Sequence, residues 1–131
     1  MTRPGGSSVR VWLTLGLLAT AAPLGAQEPS GLTGAAQVLR AYDAIVDARF
    51  DDVRLDRTCP PAPREVCQLL DAVSVWWQIQ LDPVSRTLDG TFESRIDTAI
   101  TATEAWAQRE PKRAEAWFYL GGAYGARAQW R

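Results

Sequence analysis

Few side chains in this chain could do chemistry, and the first feature is an absence. Among 131 residues there is no histidine. That removes the imidazole general base, the Ser/His and Cys/His nucleophile pairs and histidine metal sites. Carboxylates, serines, one lysine and two cysteines remain. Asp43 with Asp47, and Glu93 with Asp97, stand one helical turn apart and could pair as acid and base in a carboxylate-based hydrolase. At this i,i+4 spacing acids are ordinarily solvated surface residues. A serine–lysine dyad would depend on Lys112, which lies in the turn-like stretch REPKR. No catalytic residue, cofactor or metal is therefore expected, and the chain reads as something other than an enzyme.

The bulk composition agrees. Apolar residues make up 47% and charged residues 22%, the balance of a globular chain. No run of 18 or more apolar residues occurs, which excludes a multi-span membrane protein. The beginning has the layout of an export signal. Arg3 and Arg10 give a positive leader, Val11 to Ala22 is an apolar stretch, and Pro23 to Ala26 is a small-residue exit. Residues 1–26 are expected to be a cleaved signal peptide, with an uncleaved membrane anchor as the alternative. All 15 acids and 12 of the 14 bases lie beyond residue 27, so the remainder is mildly acidic and mixed in sign. It lacks the basic stripe that nucleic acid requires.

Cys59 and Cys67 stand in CPPAPREVC. An even count in an exported chain suggests a disulfide. A pair of free thiols is the alternative. A zinc site cannot be completed without further ligands, and the spacing is not the CxxC of redox motifs.

The elements that would position these residues have helical period almost throughout. Residues 27–34 form a flexible, polar lead-in. Ala35, Val38, Leu39, Tyr42, Ile45 and Val46 define one face of a helix over about 32–48. FDDVRLD, after it, is a short helix or a loop. Pro60, Pro61 and Pro63 break the chain and open the next helix, over about 64–81. That helix is apolar on more than one side and should lie at the centre of the packing. Of its adjacent Trp76 and Trp77, about 100° apart, one should face the core and the other a neighbouring helix. Asp82 and Pro83 stop it, and a short helical turn could follow at 83–88. Phe92, Ile96, Ala99, Ile100, Thr103 and Trp106 mark a helix over about 91–109, ended by Glu110 and Pro111. A last helix runs over about 113–129. Strand signals are lacking, so the chain is all-α.

The last helix carries the informative pattern. Trp117, Leu120, Gly121 and Tyr124 spell W-x2-L-G-x2-Y on one helical face. Trp117 and Tyr124 would act as wedges against neighbouring helices, and Gly121 would let a second helix approach closely. This segment, AEAWFYLGGAY, resembles the opening helix of a tetratricopeptide repeat. Pro111, six residues before Trp117, and Ala99, eighteen before it, match the family's repeat-joining proline and its small residue on the second helix. The stretch from CPPAP to REPKRAEAWFYLGGAYGARAQW, residues 59–131, is similar to exported bacterial proteins of that type. The resemblance implies antiparallel helical hairpins of an α-solenoid over residues 35–131. Earlier units would be degenerate, since a shift of 34 residues sets Pro83 where Trp117 stands. The repeat's second helix would begin near residue 131, so the last repeat is expected to be truncated.

The function that follows is an exported scaffold, periplasmic or secreted, that binds a protein or peptide in a helix-lined groove. Tyr119, Arg113 and Arg127 are candidate groove residues. The alternative is a structural N-terminal part of a larger cell-envelope protein. A membrane contact would come only through an uncleaved signal.

Overall fold

The computed structural model describes Thr2, residues 31–53 and residues 55–130. Apart from Thr2, the expected export segment and the first part of the lead-in lie outside the described residues. Within them the chain is all-helical. The elements are α1 (Ala35–Val46), a 3-10 turn (Phe50–Asp52), α2 (Leu55–Thr58), α3 (Arg64–Leu81), α4 (Asp89–Arg109) and α5 (Ala114–Ala128).

Local chemistry sets the boundaries. Pro63 stands at the N-cap of α3, where its missing N–H removes no helical bond, and Asp82 with Pro83 ends the helix. The segment at 83–88, expected as a short helical turn, is two turns joined by irregular residues instead. Asp89 opens α4 with a carboxylate in the first turn, the favoured side of the helix dipole. Glu110, Pro111 and Lys112 form the turn into α5.

α3 is the hub: it touches α1, α2, α4 and α5. Val66, Leu69, Leu70, Ala72, Val75 and Ile79 are buried on several of its sides. α4 returns against it with Phe92, Ile96, Ala99, Thr103 and Trp106, a stripe of strict three- and four-residue spacing. Thr103 is fully buried, and its hydroxyl donates to the Ala99 carbonyl at 2.7 Å, so no polar group is stranded. The ion pairs Arg95–Asp71 at 2.7 Å and Arg109–Glu65 at 2.8 Å tie the two helices at the surface. Each contributes little because water screens it. Both tryptophans of the VWWQIQ stretch are half-buried and meet edge to face at 5.4 Å. The Trp76 indole N–H is buried without a hydrogen-bond partner.

α1 differs from its predicted stripe. Ala41, Ala44 and Ile45 are buried, while Leu39, Tyr42 and Val46 are exposed. The small alanines let α1 lie close, and the larger residues fall on the adjoining side. The close approach is set at its start. Gly34 has a φ of +67°, and a Cβ there would stand 2.6 Å from the Ala62 nitrogen. Only glycine satisfies both conditions.

Cys59 and Cys67 form a disulfide, and Cys59 is fully buried. It fixes the proline-rich turn to the first turn of α3, the surface on which Gly34 rests. Two outcomes follow. Removing the bridge by Cys59→Ser with Cys67→Ser should lower stability by roughly 2–3 kcal/mol on the chain-entropy account, read from urea midpoints. Gly34→Ala should lower it by about 1–3 kcal/mol through backbone strain and the Ala62 clash, with the disulfide still formed by mass.

Candidate interaction surface

α5 reads AEAWFYLGGAYGARA and has apolar residues on every side. Its inner side holds Ala116, Tyr119 and Ala123, all buried, with Leu120 and Ala126 partly so. Ala116 and Ala123 are small, which brings the α5 backbone close to α4. Tyr119 stacks on Trp106 at a centroid distance of 6.3 Å. Its hydroxyl is buried without a partner, and burial, with the nearby Glu115 charge, raises its pKa.

The outer side is made of Ala114, Trp117, Phe118, Gly121, Tyr124 and Ala128, with Gly125 beside them. No charged residue stands among them. Trp117 is 52% exposed, Phe118 62% and Tyr124 48%. A Cβ at Gly121 or Gly125 would meet nothing within 4 Å. The close helix contact expected at Gly121 thus finds no neighbouring helix among the described residues, and the rings of Trp117 and Tyr124, expected as wedges, are half-exposed. The physical reason is phase. Ala116, Tyr119 and Ala123 occupy the buried side, Trp117 and Gly121 lie away from it, and Leu120 and Tyr124 lie on its flank.

The exposed rings are nonetheless held. The Trp117 indole N–H donates to the Pro111 carbonyl at 2.9 Å. The six-residue spacing between them therefore has a direct cause. The Tyr124 hydroxyl donates to the Glu104 carboxylate on α4, which raises the tyrosine pKa. Ala99 is fully buried in the α4 stripe.

At the N-terminal end of α5 a polar clasp joins it to the lead-in. The Thr33 backbone N–H donates to Glu115 Oε1 at 2.7 Å, and its hydroxyl to Glu115 Oε2 at 3.1 Å. Arg113 pairs with Glu115 at 2.7 Å and with Glu110 at 3.0 Å, and donates to Thr33 Oγ1 at 2.9 Å. These bonds raise the Arg113 pKa, and the Arg113 hydrogen bond holds the Glu110 carboxyl below its usual range. The guanidinium lies 5.2 Å from the Trp106 ring centroid, a cation–π distance. An open groove of about 1020 Å³ runs between Gly31–Thr33 and Glu110–Glu115, with Phe118 in its wall.

Of the candidate groove residues, Arg113 lines this groove, Arg127 is engaged with Asp97 on α4, and Tyr119 lies in the core instead. Phe118 and the Thr33–Glu115 clasp had no signal in the sequence. A long-range hydrogen bond leaves no periodic trace, and Phe118 lies beside the motif rather than in it.

The acid pairs gain no chemical setting. Asp47 is bound to Arg49 and Asp97 to Arg127, while Asp43 and Glu93 are exposed. Among the described residues no group of three or more His, Cys, Asp or Glu could hold a metal ion, and no helix is long and apolar enough to cross a membrane. No protein-family model, curated protein or solved structure matches the chain.

The open space at Gly121 has a consequence for the isolated chain. Gly121→Ala should raise stability by about 0.5–1 kcal/mol, the helix-propensity gain without a packing penalty, checked by thermal unfolding of dilute protein. Glu115→Gln should lower it by about 1–2 kcal/mol as the charged clasp to Arg113 is lost, with protection of the Thr33 amide from hydrogen exchange reduced in parallel.

Proposed function

We propose that this protein is an exported helical-repeat scaffold without catalysis of its own, which binds another protein through the outer face of α5. One observation carries the reading: α5 is apolar on both sides, and the side away from α3 and α4 holds three half-exposed aromatic rings around glycines. A helix with this pattern is normally covered all round, and an aromatic cluster without charges is the composition of an interface centre.

The tetratricopeptide-like arrangement is part of the same proposal. It is supported by W-x2-L-G-x2-Y on α5, by the α3–α4–α5 succession, and by the contact of α3 with α5. In that arrangement the outer face of α5 is where a further helix would lie. Export is supported by the composition of residues 1–26 and by the disulfide, which suits an oxidising compartment.

Photo-crosslinking tests the binding role. A photoreactive group in place of Phe118 should capture a discrete protein in the cells that make the chain. The same group at the exposed Val84, in the α3–α4 turn, should not. Equal labelling from both positions, or none from either, would count against a binding face.

A further inference from the structure

We infer that the outer face of α5 complements a second copy of itself. This inference rests on the reading of that face as a protein-binding surface, and it names the partner. At about 100° and 1.5 Å per residue, Trp117 and Tyr124 project to one side of the line through Gly121. Phe118 and Gly125 project to the other. Two α5 helices related by a twofold axis at Gly121 run antiparallel and keep these sides. Trp117 then meets Tyr124 of the second copy, and Phe118 meets Gly125 of the second copy. Ala114 and Ala128 face each other at the ends, and each contact occurs twice. Ring meets ring on one side of the seam, and ring meets a missing side chain on the other. The centre is glycine against glycine, and both glycine positions are open.

Independent features support the same pairing. The Trp117 and Tyr124 polar atoms are already bonded to Pro111 and Glu104, so docking leaves neither unsatisfied. Those bonds also fix the rings beforehand, which lowers the entropy lost on association. Arg113 and Arg127 are engaged with acids of their own chain, so neither brings an unpaired cation to the seam.

The area sets the strength. About half of three aromatic side chains is exposed, which amounts to on the order of 300 Å² per copy. The pair therefore buries about 600 Å² before its flanks are added, short of the roughly 1,200–2,000 Å² of stable complexes. The dimer is accordingly weak, concentration-dependent and twofold, joined through antiparallel α5 helices.

Sedimentation equilibrium of the full chain, with Gly121→Cys cross-linking, tests this. The expected result is a reversible monomer–dimer equilibrium, with Gly121→Cys giving a disulfide-linked dimer under mild oxidation and Val84→Cys giving none. Gly121→Leu, whose side chain enters open space in the monomer, should keep the helical spectrum and weaken dimerisation by about tenfold or more. Open-ended species beyond the dimer, or equal cross-linking from position 84, would overturn the twofold pairing. The first result would suit a head-to-tail contact through Leu39, Tyr42 and Val46 on α1. A monomer at every concentration would overturn it too. The wider binding role would survive that outcome if the Phe118 photoprobe still captured a different protein, and would fall with it if the probe captured nothing.

Discussion

A helix has only as much buried surface as its neighbours can cover, and α5 has more apolar surface than α3 and α4 reach. Ala116 and Ala123 are fully buried, so the approach of α5 to α4 is set by two methyl groups. That close contact fixes the rotation of the helix. With those positions turned inward, Trp117, Phe118 and Tyr124 have to face out. The functional reading depends on this one choice of phase. It is reinforced by Tyr119, which stacks on Trp106 and anchors the inner side.

The remaining structure serves to hold that helix in place. α3 is the common neighbour of all the other α-helices, and α4 lies against it along a stripe from Phe92 to Trp106. The disulfide and Gly34 bring the start of α1 onto the proline-rich turn, and Thr33 then reaches Glu115 at the first turn of α5. Lead-in and last helix are thus connected by a charged clasp, although they lie far apart in sequence. Among the described residues, many of the acids meet arginines, within the helices and between them.

The elements were largely legible in the sequence. α3 has the predicted bounds because Pro63 and Asp82-Pro83 punctuate it on both sides. α4 begins at Asp89, two residues before the predicted start, with that carboxylate in the first turn where the helix dipole favours it. The disulfide was legible from cysteine count and the export reading. The phase of α5 was not, because a helix apolar on all sides offers no preferred inward face. W-x2-L-G-x2-Y suggested the packed side, whereas Ala116, Tyr119 and Ala123 are the buried residues. In α1 the difference has another source: Ala41 and Ala44 let the helix lie close on their side, which leaves Leu39 and Tyr42 exposed. Tyr119 was expected at the groove, on the face beside the packing stripe, and the structure uses it as a core ring. The Thr33–Glu115 clasp is a tertiary contact with no local signature.

The central claim is that the outer face of α5 is covered when the protein is at work. Radical footprinting measures this directly, because tryptophan and phenylalanine rings react in proportion to their solvent contact. Trp117 and Phe118 should be modified readily in dilute purified protein and protected in the intact cells that produce it, while exposed Leu39 and Val84 report the general level of labelling. Equal modification of Trp117 and Phe118 in both settings would contradict the account.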